Sequence, residues 1–298
     1  MLIYYLMFIG STILGQVNSA YLYKKYQVTA GTSLNANVLY MMINGVVSAI
    51  VPACVLLVTG GKMQATPYSL ICATATVVCA AISLIFTMKA YELGQVAIVN
   101  ILVTIGGIII PCIWGVLFLG EHLSVKGFAA ILLMLGSVVL IMGKGKGKMN
   151  KKLIWLYVII IAASCLTTMI GKMHQVEETH ATVDTYSYSI WIGVIRTILF
   201  AMFLPFLIKR DGKEALHYKK APVVYATLSS VISGGCYIVT LFTAAVLPVV
   251  ITSPLGTGIG ILMSSFLPWI AYHEKLSRRQ FAGVALSFIG VIIYLINI

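Results

Sequence analysis

GEHLSVKGFAAILLMLGSVVLI, residues 120–141, returns as HEKLSRRQFAGVALSFIGVIIYL, residues 273–295. A shift of 153 residues matches Glu121 with Glu274, Leu123 with Leu276 and Ser124 with Ser277. It also matches Phe128 with Phe281 and Ala129 with Ala282, giving five identities in nine positions. Apolar runs match one another easily, but here the shared ExLSxxxFA precedes an apolar run in both places. The chain therefore reads as two related halves, and the nature of those halves decides the fold.

The solvent of this chain is a bilayer. It is 60% hydrophobic and 9% charged over 298 residues, with a mean hydropathy of +1.01. A soluble domain covers itself with about 25% charged residues. A membrane-spanning helix needs about 20 predominantly apolar residues. Ten such stretches can be laid down, at 2–22, 34–58, 68–89, 95–119, 126–142, 153–171, 185–208, 222–244, 248–272 and 280–297. They are continuous rather than alternating, so they read as helices and not as barrel strands. The first stretch lacks the positive n-region of a signal peptide and its apolar run continues to Tyr23, which reads as a first transmembrane helix. The expected fold is an all-α membrane protein of ten transmembrane helices. The six cysteines all lie in apolar stretches without a CxxC, as small hydrophobes do.

Basic residues set the expected orientation. Sixteen of the twenty Lys and Arg fall in the loops that follow odd-numbered spans. Lys62, Lys126 and Lys172 fall on the other side, and Arg196 lies inside a span. This asymmetry places the basic loops in the cytoplasm against anionic lipids and both termini outside. The formal net charge of +12 is accounted for by those loops. No basic stripe interleaved with aromatics points to nucleic acid.

The insert GKGKGKMNKK, residues 143–152, divides the chain near its midpoint. It separates a first five-helix repeat, 1–143, from a second, 153–298, with 144–152 as a basic linker. Five is odd, so the second repeat enters the membrane inverted. Inverted repeats with a midplane site suit alternating-access carriers. In this layout, and in the sequence of residues 92–140 and 247–293, the chain resembles the EamA-type branch of the drug/metabolite transporter (DMT) superfamily. That resemblance implies a carrier of small metabolites or drugs with a central cavity in a plasma membrane. Members of that family are described with both termini in the cytoplasm, whereas the charge count here puts them outside.

Candidate site residues follow from helix-weakening positions. The fourth span has Asn100, Gly106, Gly107 and Pro111. The ninth has Thr252, Ser253, Pro254, Gly256, Gly258, Gly260 and Pro268. Proline and glycine interrupt helices, and interrupted helices in corresponding places of two halves point to a binding site. Asn100 and Ser253 align at 153 and are expected to line it, with Thr252 beside them. Gln16 and Asn18 in the first span, Asn44 in the second, Trp191 and Arg196 in the seventh and Tyr237 in the eighth complete the set. A charge at mid-bilayer costs about 2.5–3.5 kcal/mol on insertion scales and tends to be functional. Asn44 stands at the place of Arg196 at an offset of 152. Arg196 reads equally as an architectural anchor or as a recognition group for an anion.

These residues support a secondary carrier for a small organic metabolite, anionic or zwitterionic, with H+ or Na+ as a candidate coupling ion. Export of lipophilic drugs or cations is the alternative, and a non-transporting accessory protein the third reading. No GxxxxGK[ST] loop provides for ATP-driven pumping. No nucleophile–base set at membrane depth suggests an enzyme, the histidines all reading as loop residues, and no cofactor is expected. Glu121 and Glu274 are expected to stabilise the start of the helix that follows each of them. No acid is expected deep in a span. The stretch HQVEETHATVD, residues 174–184, reads as a solvated loop rather than a metal site.

Overall fold

The computed structural model describes residues 1–31, 33–92, 96–142, 151–211, 220–272 and 277–296. Within these, side chains are described at all positions except 88, 91–92, 96–102, 142, 151–153, 210–211, 268–269 and 271–272. Residues 144–150 of the expected linker and Glu274 lie outside the described residues, as does the side chain of Asn100, while residues 151 and 152 open a helix.

The described residues form helices joined by short connections, with no strand among them. In chain order these are α1 (Leu2–Asn18), a π-helical turn (Ser19–Tyr23), α2 (Lys24–Ala30), α3 (Leu34–Val58) and α4 (Pro67–Glu92). Then come α5 (Val96–Phe118), α6 (Val125–Met142), α7 (Lys151–Val176), α8 (Thr185–Ala201) and α9 (Leu204–Asp211). Finally there are α10 (Lys220–Val246), α11 (Val249–Tyr272) and α12 (Arg278–Ile296). The described residues of all ten expected stretches fall on helix apart from positions 119, 202–203 and 248. Seven helical segments among the described residues are long and apolar enough to cross a membrane, with two shorter apolar ones at Val103–Phe118 and Val125–Ile141. The chain is a helical integral membrane protein.

Two stretches are more broken than expected. The first passes through the π-helical turn at Ser19–Tyr23 instead of ending. The seventh breaks after Ala201 and resumes at Leu204. Pro205 has no N–H to bond the Ala201 carbonyl, and its ring crowds that carbonyl.

The chain divides into two compact units, each drawing on both halves of the sequence. The first comprises Met1–Gln16, Cys79–Lys172 and Thr243–Ile298; the second comprises Val17–Val78 and Met173–Phe242.

In the first unit α6 packs along α12, and α5 along α11. The shared serine of the repeat starts a helix in both places. Ser124 Oγ accepts the Gly127 N–H at 3.0 Å. Ser277 forms a reciprocal box with Gln280, whose Oε1 accepts the Ser277 N–H at 2.9 Å while Ser277 Oγ accepts the Gln280 N–H at 3.3 Å. The α6–α12 seam is close because glycines face backbone. A Cβ on Gly290 would stand 3.2 Å from the Ala130 carbonyl oxygen, and one on Gly283 3.0 Å from that of Ser137. These two contacts exchange under the 153-residue shift. Met134, Ile108, Leu255 and Val291 fill the core around them.

In the second unit α3 packs along α8. Asp184 caps α8, its Oδ1 accepting the N–H groups of Tyr186 at 2.9 Å and Ser187 at 3.1 Å. Gly45 of α3 and Gly193 of α8 meet at the crossing: a Cβ on Gly193 would lie 2.7 Å from the Gly45 carbonyl oxygen and one on Gly45 2.9 Å from that of Gly193.

Candidate functional site

Prolines inside membrane helices release carbonyls that need new donors. Pro111 in α5 cannot serve the Gly107 carbonyl, and Ser253 Oγ of α11 donates to it at 2.5 Å. Pro254 in α11 cannot serve Val250, whose carbonyl accepts from Tyr294 OH at 2.6 Å. The two weakened helices are thereby tied to each other and to α12 within the first unit.

Beside the Ser253–Gly107 bond lies a cavity of about 460 Å³. It is lined by Gln16, Val103, Thr104, Gly107, Gly256, Thr257, Gly260, Ile261 and Ser264. Thr104 and Thr257 are 153 residues apart, as are Gly107 and Gly260. Among the described residues the walls carry no formal charge. Thr257 Oγ1 donates to the Ser253 carbonyl at 2.9 Å and Ser264 Oγ to that of Ile261 at 2.9 Å. Their protons are engaged, so these hydroxyl oxygens remain as acceptors. Gln16 contributes an amide able both to donate and to accept.

Of the expected residues, the structure therefore places Gln16 in the cavity wall and Ser253 immediately beneath it. Thr252 stands in the first turn of α11 with its N–H on the Pro248 carbonyl at 3.0 Å. The sequence reading passed over Thr104, Thr257 and Ser264. The signal for the threonine pair was present, because the offset that aligned Asn100 with Ser253 aligns them too.

The remaining candidates belong to the second unit. Arg196 donates to Asn44 Oδ1. Asn44 Nδ2 donates to Ser233 Oγ at 3.0 Å, and Ser233 passes its own proton to the Ser230 carbonyl at 3.2 Å. The chain of donors has one direction: guanidinium to amide to hydroxyl to the backbone of α10. Tyr40 and Tyr237 lie within electrostatic reach of the guanidinium. Among the described residues, no carboxylate stands within ion-pair distance of Arg196.

Asn44 is thus the partner of Arg196 rather than its counterpart. The α3–α8 crossing is symmetric at an offset of 148, which exchanges Gly45 with Gly193 and Ala49 with Thr197. Ser48 then occupies the place of Arg196. Asn18 donates to the Ser229 carbonyl at 3.0 Å, and its buried Oδ1 has no hydrogen-bond partner among the described residues. Trp191, read as a ring for a cavity, donates its indole N–H to the Gln64 carbonyl at 2.9 Å and holds the loop before α4.

The 174–184 stretch is corrected at its start, whereas residues 177–184 do form a loop, exposed at 178–181. α7 extends to Val176, and His174 is 2% exposed rather than in a solvated loop. Its Nε2 meets Ser69 Oγ at 2.8 Å, and its ring stacks on Tyr188 at 3.7 Å. Tyr68 stacks in turn on His180 at 4.8 Å. Beyond the helix end, hydrogen bonds from the side chains of Thr179 and His180, and from the Thr179 backbone, pull the Glu177 carboxyl down to about 2.

Glu121 is a second correction. It was expected to serve the start of α6. Its carboxylate instead accepts the N–H groups of Val249 at 2.9 Å and Val250 at 2.8 Å, at the start of α11. Its side chain is 12% exposed and faces Lys172, 8% exposed, at 3.9 Å.

No family model matches the chain, and no curated protein matches it. A solved structure, the crystal structure of a protein, superposes with a TM-score of 0.73 over 97% of this chain and 99% of that chain, at 13% identity. At that identity the likeness establishes the fold alone.

Proposed function

We propose that the protein is a secondary carrier of a small organic solute, working by alternating access across the plasma membrane. The observation that carries this reading is the cavity. Its Thr104–Thr257 and Gly107–Gly260 pairs recur at one sequence offset, in two continuous helices that each contain a proline. An inverted pair of five-helix repeats places equivalent residues around one site in this manner. The contacts that exchange across the α6–α12 seam support the same arrangement. The resemblance to EamA-type carriers of the DMT superfamily points the same way, and the loop charges favour cytoplasmic basic loops with both termini outside.

Reconstituted protein is expected to move solute into sealed vesicles without ATP. A thermal-shift screen of the purified chain against amino acids, nucleobases, sugars and lipophilic cations finds the class. A ligand at about 100 times its Kd adds about 2.7 kcal/mol of stability. Failure of every class to shift Tm and to cross the membrane would sink the carrier reading.

For the solute, Arg196 favours an anionic or zwitterionic group, because it has no carboxylate partner among the described residues. Arg196→Lys keeps a cation but loses the planar fork. It is expected to retain the fold and to lose anion flux, whereas Arg196→Ala loses both flux and about 1.5–3 kcal/mol from the charged hydrogen bond to Asn44. Wild-type anion flux in both variants would contradict the reading. The uncharged cavity wall favours the alternative, export of lipophilic drugs or cations, and the same screen decides between them.

A further inference from the structure

The corner between α10 and α11 is short and buried, and two charged side chains bond its backbone. α10 ends at Val246, Leu247 and Pro248 form the turn, and α11 begins at Val249. Pro248 has no N–H for the Ala244 carbonyl. The Ile251 N–H bonds Pro248 at 3.1 Å, which turns it away from Leu247. One side chain takes these two carbonyls: Lys172 Nζ donates to Ala244 at 2.7 Å and to Leu247 at 2.8 Å. On the far side of the turn, the Val249 and Val250 N–H groups open α11 with no backbone acceptor among the described residues, and Glu121 takes both.

Each charge therefore has the sign its helix end calls for. A cation sits on the carbonyl end of α10 and an anion on the N–H end of α11. The carboxylate reaches its position through a tight turn. Gly120 has a φ of 62°, and the Glu121 N–H bonds the Gly115 carbonyl at 3.1 Å. Gly115 leaves the space that is needed, since a Cβ there would stand 2.8 Å from Glu121 Oε2 and 2.5 Å from Val249 Cγ1. The direct Lys172–Glu121 distance of 3.9 Å exceeds all four backbone contacts.

We propose that Glu121 and Lys172 are positioning residues that clamp the α10–α11 corner and so set the register of α11. The inference rests on the carrier reading in one respect: α11 supplies Gly256, Thr257, Gly260, Ile261 and Ser264 to the cavity. What holds the corner is the match of each charge to a helix end, and the attraction between the two charges is secondary.

The two accounts make opposite forecasts for the charge swap. Glu121→Lys with Lys172→Glu preserves an ion pair but sets a cation against N–H groups and an anion against carbonyls. The clamp forecasts that the swap is no better than Glu121→Ala or Lys172→Met. Lys172→Arg, which keeps cationic donors, is forecast to restore wild-type behaviour.

The experiment uses the full chain in vesicles with two readouts. Amide hydrogen exchange over residues 249–252 should quicken at least about tenfold in Glu121→Ala, Lys172→Met and the swap, a loss of about 1.4 kcal/mol of local protection. Exchange in α6 should stay at the wild-type rate, which separates loss of the clamp from general destabilisation. The second readout is Thr257→Cys, labelled by a membrane-impermeant methanethiosulfonate and read at that peptide by mass spectrometry. Its labelling rate should change with the clamp variants and recover with Lys172→Arg. Unchanged exchange at 249–252 in both single variants, or rescue by the swap, overturns the clamp. Absence of labelling at residue 257 in every background overturns the cavity reading instead, while the exchange data still judge the clamp. Should Glu121→Ala fail to fold, Lys172→Met carries the test.

Discussion

Gly193→Ala is expected to lower stability by roughly 3 kcal/mol, about 6–12 °C in Tm on the scaling for larger domains. The new methyl would stand 2.6 Å from the Ala49 nitrogen, 2.7 Å from the Gly45 oxygen and 2.9 Å from the Ala49 Cα. Every one of those atoms belongs to α3 backbone. No side-chain rotation can relieve the clash, so α3 and α8 must separate along their whole seam. Without a hydrophobic force between helices in lipid, close backbone approach at small residues is what holds such a pair. Gly235→Ala is the matched control, since its Cβ meets nothing within 4 Å. Thermal unfolding in detergent decides. A Gly193→Ala protein that melts with Gly235→Ala would show that the α3–α8 crossing is looser than described.

The same two helices show what could be read from sequence and what could not. Their existence follows from long apolar runs; α3 matches its expected 34–58 and α8 begins at the expected 185, but α8 ends at Ala201 rather than 208. Their mutual register does not. Asn44 and Arg196 lie 152 apart, and two polar residues at similar depth in two spans invite pairing as equivalents. The glycine contact fixes the equivalence at 148, and it makes the two polar residues a hydrogen-bonded pair. Polar identity is a poor guide to register because a donor and its acceptor sit at equal depth too. Glycine is a better guide, since each close crossing needs one from each helix.

In the first unit the 153-residue offset relates residues with backbone duties. Ser124 and Ser277 both start helices, and Gly107 and Gly260 both leave room at one cavity. Glu121 was legible as a helix-capping acid, but the helix it serves begins 128 residues later. Nothing local distinguishes a carboxylate that caps its own helix from one that reaches across to another. Lys172 likewise reads as one more loop charge until Pro248 is seen to strand the carbonyl it takes.

Two adjacent glycines make the most economical test of the cavity. Gly106 and Gly107 are neighbours on α5, and helix packing through small residues would explain both equally well from sequence. The structure separates them. A Cβ on Gly106 would clash with Ile161 Cγ2 and stand 3.5 Å from Ile161 Cβ. Isoleucine is branched at Cβ and cannot swing that methyl aside. Gly106→Ala should therefore destabilise by about 1–3 kcal/mol, as overpacking does. A Cβ on Gly107 meets nothing within 4 Å, because the space before it is the cavity. Gly107→Ala should fold as wild type. Gly107→Phe should also fold near the wild-type Tm, yet abolish flux by filling the space between Thr104 and Thr257. The pair of measurements, Tm and vesicle uptake of the solute found by thermal shift, must cross: loss of stability at 106, loss of transport at 107. If Gly107→Phe transports normally, solute does not pass this cavity. If it fails to fold while Gly106→Ala folds well, the assignment of packing and lining on α5 is reversed.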